Sequence, residues 1–388
     1  MPKAWLLPEH TADVLPDQAT DVEWLRRRFL DAAAGYGYRP VMPPLVEHIE
    51  SLLTGAGPEL DLRTVKVVDQ ISGRTLGIRA DMTPQAARID AHLLNRKGPV
   101  RLCYCGPVLH ARPRELGASR DPLQFGAELY GHKGLEADLE VQQLALDVVQ
   151  QADIGPVGVD LTDVRIVESL IGTFALRPAV RVELLAALAA KDRSAVRAAA
   201  ADYDPAVRSA LETLVDLYGP AQEVLVAAAR RLPLFGTMAQ ALDDLRWLVG
   251  HVEALHPGLD IGVDLASIQG FGYYTGASFA VYAPGHGDAL IRGGRYDDIG
   301  AVFGRRRPAV GFSVDLKAVT ALRMPPPAAS AIVAPWGEAP ALREAIRQLR
   351  SAGEQVIVLL PGEPWQVDEI PHDRRLSERD GRWVVQAL

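Results

Sequence analysis

Asp81 and its neighbours form the first stretch of this sequence with side chains suited to holding a small polar ligand. Residues 78–83 read Ile-Arg-Ala-Asp-Met-Thr, so an extended chain would place Arg79, Asp81 and Thr83 on one face. A carboxylate accepts hydrogen bonds from an ammonium group, and a hydroxyl both donates and accepts. A structural role is also open, because Thr83 precedes Pro84 and would cap a helix that begins there.

The second stretch, residues 123–131, alternates apolar and polar side chains. Gln124, Gly126 and Glu128 would share one strand face, and the glycine between them would leave a notch that admits a ligand. Together the two stretches offer two acids, an amide and a hydroxyl, enough to hold an ammonium group and a polar side chain. A wet sheet face with a salt bridge between Arg79 and Glu128 would use the same residues. Spacing alone favours that simpler interpretation.

Other segments carry weaker signals. Gln269–Gly276 is glycine-rich but lacks the spacing of a dinucleotide-binding loop, so it predicts a bent entry into a strand. Tyr273 and Tyr274 in such a segment are more often core residues than ligands. The basic run at 305–307 is most simply a solvated loop. No P-loop, Ser/His/Asp pattern or metal-ligand spacing is visible, so we predict no metal and no cofactor.

Composition narrows the functional class. The chain has 388 residues, with 41 Lys and Arg against 49 Asp and Glu, a net charge of −8. An acidic chain is poorly suited to non-specific nucleic-acid or membrane-surface binding, although a local basic groove remains open. Cys103 and Cys105 indicate buried thiols in a reducing compartment. The N-terminus lacks a signal-peptide pattern and no long apolar run is present, so we expect a soluble, cytoplasmic protein.

The helices and strands that would position these residues are predicted from hydrophobic periodicity and from the glycines and prolines that end each element. We expect a helix over 20–35, a proline-rich extended segment over 39–45, and a hairpin over 64–81. Further strands are expected at 100–110, 123–131 and 160–166, with a helix at 134–152. Alanine and leucine at helical spacing predict a helical insertion over about 167–256. Strands are then expected at 260–265, 273–282 and 289–293, and a helix near 313–322.

The C-terminal end of the chain has its own pattern. Residues 323–330 are rich in proline and alanine and predict a linker. Beyond it, a strand, a helix, a strand and a hairpin around Asp380-Gly381 predict a small α/β domain over 331–388. The expected organisation is therefore a core over 1–322 that contains the helical insertion, then the linker, then the small domain.

Five stretches in order resemble the catalytic domain of histidyl-tRNA synthetase-like class II aminoacyl-tRNA synthetases. They cover most of residues 1–322. The resemblance implies an α+β fold, with an antiparallel sheet and flanking helices. The five stretches are the motif 1-like Val22–Leu45, the amino-group-binding Leu76–Arg88 (LGIRADMTPQAAR), the motif 2-like Gly106–Gly131, the histidine-specific loop Gln269–Phe279, and the motif 3-like Gly293–Val319.

The departures from that family point away from adenylation. The arginine of motif 2 falls on His110, that of the histidine-specific loop on Gln269, and that of motif 3 on Ala318. Arg112 and Lys317 stand where the family has acids. A neutral histidine, a glutamine and an alanine cannot replace guanidinium groups around the phosphates of ATP. The resemblance therefore implies a chain that has lost this chemistry.

The amino-acid pocket of the family is better preserved. The positions that bind histidine in the synthetase fall on Asp81, Thr83, Gln124, Glu128, Tyr273 and Tyr274, while Arg79, Arg112, Gly126 and Gln269 are further candidates to line the pocket. Asp81 is shorter than the family's glutamate and Arg112 reverses a charge. A pocket that keeps its amino-acid ligands without its ATP ligands resembles the regulatory subunits of ATP phosphoribosyltransferase.

That resemblance implies a non-catalytic protein of histidine biosynthesis, with histidine as feedback effector and no nucleic-acid or membrane partner. It also implies a dimer formed through the motif 1 region. This dimer would assemble with ATP phosphoribosyltransferase catalytic subunits into a hetero-octamer. Two alternatives stay open at this point. One is an active histidyl-tRNA synthetase with displaced catalytic residues, and the other is a synthetase paralogue that binds RNA or another protein.

Overall fold

A nine-stranded sheet organises the first of two compact units, which spans Met1–Met324; the second spans Pro325–Leu388. The computed structural model describes residues 6–54, 58–113, 118–172, 177–324, 330–362 and 371–388. The predicted linker falls largely outside these residues. In the described residues no helix combines the length and apolar character needed to cross a membrane.

The first unit contains twelve described strands in two sheets. They are β1 (Arg39–Pro40), β2 (Val46–His48), β3 (Val65–Val68), β4 (Thr75–Ile78), β5 (Val100–Pro107), β6 (Leu123–Tyr130), β7 (Gly158–Asp163), β8 (Tyr218–Pro220), β9 (Asp260–Asp264), β10 (Ala277–Tyr282), β11 (Ile291–Arg295) and β12 (Ala309–Asp315). The large sheet is mostly antiparallel and has the order β1-β5-β6-β12-β11-β10-β7-β9-β8. A separate three-stranded sheet has the order β2-β4-β3.

Helices cover the sheet, and the core lies between them. Twelve α-helices are described in the first unit, together with a π-helical turn at Ile89–Leu94 and a 3-10 turn at Ile299–Phe303. The α-helices are α1 (Pro16–Gly35), α2 (Ile49–Leu52), α3 (Pro58–Arg63), α4 (Thr83–Arg88), α5 (Leu135–Ala152), α6 (Val164–Ile171), α7 (Pro178–Ala189), α8 (Arg193–Ala199), α9 (Pro205–Leu214), α10 (Ala221–Arg231), α11 (Met238–Leu255) and α12 (Leu316–Leu322).

The predicted first helix is confirmed. Leu25, Phe29 and Ala33 are buried on one side of α1, as a spacing of three to four residues requires. The ring of Phe29 lies edge-on to Phe125 of β6, with their centroids 5.4 Å apart. The alternation read in residues 123–131 therefore places the apolar face of β6 against this helix and the polar face on the other side of the sheet.

The predicted hairpin over 64–81 is also confirmed, with β3 and β4 paired antiparallel. Its turn is built by Asp69, whose carboxylate accepts hydrogen bonds from the backbone N–H groups of Ile71 and Ser72. Gly73 has a φ of +69°, which a glycine adopts without strain. Together with β2, this hairpin forms the small sheet that precedes Arg79.

Helices α6 to α11 occupy the segment predicted as a helical insertion, and they share one apolar core with the large sheet. A short strand that the sequence did not reveal, β8, pairs with β9 and extends the sheet edge. The strand predicted over 160–166 stops at Asp163, because its carboxylate accepts from the N–H of Arg165 and starts α6. The last three residues of that prediction are wrong.

Two later predictions also differ at their boundaries. The strand expected from Tyr273 begins only at Ala277, because Gly270 and Gly272 have φ values of +70° and +82° and turn the chain before it. The helix expected near 313–322 begins at Leu316, because β12 continues to Asp315. The Asp315 carboxylate then accepts from the N–H of Lys317.

The basic run at 305–307 is not a solvated loop throughout, which corrects the expectation for Arg307. Its guanidinium is buried and donates to both carboxylate oxygens of Asp90 at 3.1 Å. It also donates to the backbone carbonyls of Arg96 and Gly98. Arg306 is exposed and pairs with Asp298.

The second unit is a four-stranded sheet of order β14-β13-β15-β16 with one helix. The predicted strand, helix, strand and hairpin are all present. Asp380 and Gly381, with φ values of +51° and +75°, form the hairpin turn as expected. The elements are β13 (Ala331–Pro335), α13 (Pro340–Ser351), β14 (Val356–Leu359), β15 (His372–Arg379) and β16 (Arg382–Ala387).

Candidate functional site

Glu128 lies at the centre of a buried polar cluster on the face of β6 opposite α1. Its side chain is 1% exposed. One carboxylate oxygen accepts from the hydroxyl of Tyr104 on β5 at 2.8 Å, and the other accepts from the hydroxyl of Tyr296, directly after β11. Burial raises the pKa of Glu128 to about 8, although both hydroxyls favour the ionised form. Near neutral pH this group therefore keeps its proton in most molecules.

Two glycines make room for this cluster. A Cβ on Gly311 of β12 would lie 1.6 Å from a carboxylate oxygen of Glu128, so no side chain fits there. A Cβ on Gly126 would lie 2.4 Å from the ring of Tyr104. The notch predicted at Gly126 exists, but a tyrosine of the same chain fills it. The expectation that Gly126 leaves space for a ligand is therefore wrong.

A second carboxylate, that of Asp81, belongs to the same hydrogen-bonded system. One of its oxygens accepts from the Thr83 N–H and from the Gln124 amide, each at 2.9 Å. The Gln124 amide oxygen in turn accepts from the N–H of Met82 at 2.9 Å. Thr83 and Tyr104 hydroxyls lie 2.9 Å apart, so a chain of hydrogen bonds joins Asp81 to Glu128.

The local structure around Asp81 differs from the expectation. Strand β4 ends at Ile78, and Thr83 is the first residue of α4, so Arg79, Asp81 and Thr83 do not share one strand face. Thr83 is not the helix cap, because its hydroxyl points to Tyr104 and the Asp81 carboxylate binds the first helical N–H. These side chains converge through a strand end and a helix start.

Tyr273 and Tyr274 lie in the turn before β10, beside the cluster. The ring of Tyr273 stacks on that of Tyr296, with centroids 5.3 Å apart and planes 19° apart. Tyr274 meets Tyr273 edge-on at 5.4 Å. Tyr273 is 36% exposed whereas Tyr296 is buried. The stack therefore runs from the surface to the Glu128 cluster.

The remaining candidates do not join the two acids. Arg79 is buried, but it donates to the carbonyls of Pro107 at 2.8 Å and Pro43 at 2.7 Å. The predicted salt bridge between Arg79 and Glu128 is therefore wrong, and Arg79 ties the proline-rich segment to the end of β5. Arg112 is exposed and Gln269 is half-buried, and neither has a described hydrogen bond to Asp81 or Glu128.

The positions where the resemblance places adenylation arginines have other surroundings. His110 is buried, and its Nε2 lies 2.9 Å from the guanidinium of Arg63 and 3.1 Å from the carbonyl of Ala80. Ala318 lies in α12. The neighbouring Lys317 donates to the Asp121 carboxylate at 2.9 Å, so its charge is neutralised within the chain.

Sequence reasoning missed Tyr104, Tyr296 and Gly311. A signal for one of them was present, since Tyr104 stands directly opposite Gly126 in the pairing of β5 with β6. A large aromatic residue facing a glycine across two strands indicates that the ring fills the glycine's space. Tyr296 and Gly311 lie far along the chain, and no local pattern connects them with Glu128.

Comparisons with known proteins match both units. Residues 10–319 match the family model described as histidyl-tRNA synthetase, and residues 329–386 match the one described as ATP phosphoribosyltransferase subunit HisZ C-terminal domain. A protein of Verminephrobacter eiseniae named ATP phosphoribosyltransferase regulatory subunit is 54% identical, over 99% of this chain and 100% of its own length. The chain belongs to the family of ATP phosphoribosyltransferase regulatory subunits. The same name is carried by a Variovorax paradoxus protein that is 53% identical, over 99% of this chain and 100% of its own length.

Solved structures place this regulatory subunit in the fold that its sequence predicted. A crystal structure of an ATP phosphoribosyltransferase regulatory subunit/histidyl-tRNA synthetase from Bacillus halodurans has a TM-score of 0.81 at 26% identity, covering 95% of this chain and 96% of its own. A histidyl-tRNA synthetase from Nostoc has a TM-score of 0.79 at 19% identity, covering 99% and 97%. The latter shows the shared fold. The predicted family and the class II synthetase-like fold are confirmed, and an active synthetase is not favoured.

Proposed function

We propose that this chain assembles with catalytic subunits of ATP phosphoribosyltransferase, supports the first step of histidine biosynthesis, and makes that step sensitive to histidine. The observation that carries the proposal is the full-length match, at more than half identity, to proteins named as regulatory subunits. The match extends through the C-terminal unit, which the synthetase model does not cover.

The chain itself performs no adenylation in this proposal. His110, Gln269 and Ala318 leave the positions of three family arginines without guanidinium groups. Two described guanidinium groups contact His110: that of Arg63, from α3, lies 2.9 Å from its Nε2, and that of Arg120 donates to its backbone carbonyl at 2.9 Å. Neither stands at the position of the motif 2 arginine, which His110 occupies. Transition states that carry phosphate charge depend on donors held in place before the reaction, so the loss of three such groups removes most of the stabilisation.

We propose that histidine binds at Asp81, Thr83, Gln124, Glu128, Tyr273 and Tyr274. Asp81 supplies a half-buried carboxylate for the ammonium group. Glu128 offers a carboxyl whose proton can be given to an imidazole nitrogen, and its ionised form accepts from an imidazole N–H. A ligand in this place would take over one hydrogen bond that Tyr104 or Tyr296 now makes.

Feedback requires histidine to bind the active and inhibited assemblies unequally. A coupling free energy of about 1–3 kcal/mol is typical of such systems. The hydrogen-bonded chain from Asp81 through Thr83 and Tyr104 to Glu128 joins strand β5, strand β6 and helix α4. A ligand that rearranges this chain would act on all three elements at once.

Self-association through the motif 1 region is part of the same proposal. The small sheet next to this region exposes Val46, Val67, Val68 and Ile71, the last at 97%. Exposed apolar side chains concentrated in one small sheet and its turn are candidates for an interface. Dimers paired in this way would then combine with catalytic subunits, and we propose that the product is a hetero-octamer. Native mass spectrometry of the mixture would measure the number of subunits in the assembly.

The proposal is tested by adding the purified chain to the purified catalytic subunit. We expect phosphoribosyl transfer to rise on addition, and histidine to inhibit the mixture more strongly than the catalytic subunit alone. Unchanged activity and unchanged inhibition would refute the proposal. Histidine-dependent exchange of pyrophosphate into ATP by the chain alone serves as the companion assay, and clear exchange would contradict the non-catalytic role.

A further inference from the structure

The C-terminal unit carries an open groove of about 620 Å³. Its walls are the loop after β13, one side of α13, and Val358 at the end of the edge strand β14. The groove lies wholly within this unit, far along the chain from the Glu128 cluster. The function proposed above makes no use of it.

Three arginines line the groove along one side of α13. Arg343, Arg347 and Arg350 are spaced by four and three residues, which aligns them on one helical face. The guanidinium of Arg350 donates to the carbonyl of Val356 at 2.8 Å, and that of Arg343 to the carbonyl of Gly337 at 3.4 Å. Each of these hydrogen bonds uses one of five N–H donors and holds the charged group against the groove wall.

Trp336 and Ile346 form the apolar part of the same groove. The Trp336 side chain is 52% exposed, whereas Trp24, Trp247 and Trp383 are each more buried. Tryptophan and arginine are the residue types that most often dominate binding energy at protein interfaces. An exposed indole beside three guanidinium groups has the composition of a docking site.

The chemistry of the groove selects an acidic protein segment. Arg347 pairs with Glu344, the one acidic residue of α13, so three arginines against one glutamate leave an excess of positive charge along the helix. Small-molecule pockets enclose most of their ligand, and this groove is open along one side. An extended segment with carboxylates and one apolar side chain would match both the charge and the shape.

We propose that this groove binds an acidic segment of the ATP phosphoribosyltransferase catalytic subunit, with carboxylates against the arginines and an apolar side chain against Trp336. The inference rests on the assembly proposed above. The unit that holds the groove is the part of the chain that matches the HisZ C-terminal domain, whereas the synthetase match ends at residue 319. We do not assign the groove to a second copy of this chain, because the exposed apolar surface of the first unit is already the candidate interface for self-association.

The test compares three full-length variants in binding to the purified catalytic subunit by surface plasmon resonance at two salt concentrations. R343E/R347E reverses two charges in the groove. R375E/R382E reverses two exposed charges on the opposite face of the same sheet and serves as the matched control. W336A removes the indole. We expect at least a tenfold loss of affinity for R343E/R347E, a severalfold loss for W336A, and a change within twofold for the control.

Equal affinity of R343E/R347E and the wild type would overturn the proposal, as would an equal loss in the control, which would indicate a general charge effect. A change in self-association alone, measured by sedimentation velocity, would assign the groove to a second copy instead. Failure of the wild type to bind the catalytic subunit would refute the proposed assembly itself. If R343E/R347E does not fold, R343Q/R347Q and W336A are compared with the wild type instead. Wild-type affinity of both variants for the catalytic subunit would refute the proposed binding at the groove.

Discussion

Glu128 is completely buried and accepts hydrogen bonds from two hydroxyls. Burial favours its protonated form and the hydroxyls favour its ionised form, so the balance of these two effects sets its pKa. Removal from water disfavours the charged form more strongly than Tyr104 and Tyr296 stabilise it, so its pKa rises to about 8. Gly311 completes the arrangement, because a side chain there would displace the carboxylate. The residue is thus held in one position with a proton available near neutral pH.

The raised pKa of Glu128 predicts a particular pH dependence of stability. The unfolded chain releases this proton near pH 4.5, but the folded chain keeps it up to about pH 8. Between these values the folded state binds more protons, so the free energy of unfolding falls as pH rises, by up to about 1.4 kcal/mol per pH unit. E128Q removes the titration and should gain stability relative to the wild type from pH 5 to pH 8 in urea unfolding. A difference that does not change with pH would contradict the assignment.

At the scale of elements, one buried ion pair holds two distant segments together. They are the π-helical turn at Ile89–Leu94 and the segment after the 3-10 turn at Ile299–Phe303. Arg307 reaches Asp90 in the π-helical turn and two carbonyls in the loop that follows it. A buried carboxylate that loses the counter-ion hydrogen-bonded to it is costly, because it has already lost its hydration. The arginine therefore stabilises a contact between segments more than 200 residues apart.

The Arg307 contact predicts unequal effects for two neighbouring arginines. R307M should lower the free energy of unfolding by about 3–5 kcal/mol, because Asp90 is left buried beside an apolar side chain. R306M is the matched control and should cost less than about 1 kcal/mol, since Arg306 is exposed and pairs with an exposed aspartate. Urea unfolding of both variants measures the difference. Similar losses in the two would show that burial does not set the strength of these pairs.

At the scale of the whole molecule, exposed apolar surface distinguishes the small sheet of the first unit. Its hairpin exposes Val68 at 65% and Ile71 at 97%. The net charge of −8 opposes non-specific association, so self-association needs a surface that gains enough from burial. Together with the neighbouring motif 1 segment, which exposes Met42 and Leu45, this hairpin is where we expect two copies of the chain to meet.

Replacement of these side chains predicts a change in self-association. V68D/I71D should raise the dissociation constant of the dimer at least tenfold, because two carboxylates would have to leave water at the interface. V182D provides a control, as Val182 is 67% exposed on α7 and outside the small sheet. Sedimentation equilibrium measures both. A dimer unaffected by V68D/I71D, or weakened equally by V182D, would place the interface elsewhere.

Much of the fold was accessible from the sequence because its signals are local. The spacing of Leu25, Phe29 and Ala33 predicts α1, and the alternation at 123–131 predicts β6 with the correct faces. Element boundaries were less accessible. Asp163 and Asp315 end their strands by capping the helices that follow, and strand periodicity gives no warning of such a cap.

The sequence by itself determined the order of most of the larger elements, the polar face that carries Gln124 and Glu128, and the family to which the chain belongs. Only the tertiary structure decided what those side chains contact. Arg79 binds proline-segment carbonyls rather than an acid, Tyr104 fills the space beside Gly126, and Tyr296 reaches Glu128 across 168 residues of chain. Periodicity acts over a few residues and reports which face a side chain occupies. Its partners depend on strand order and register, which bring distant parts of the chain together.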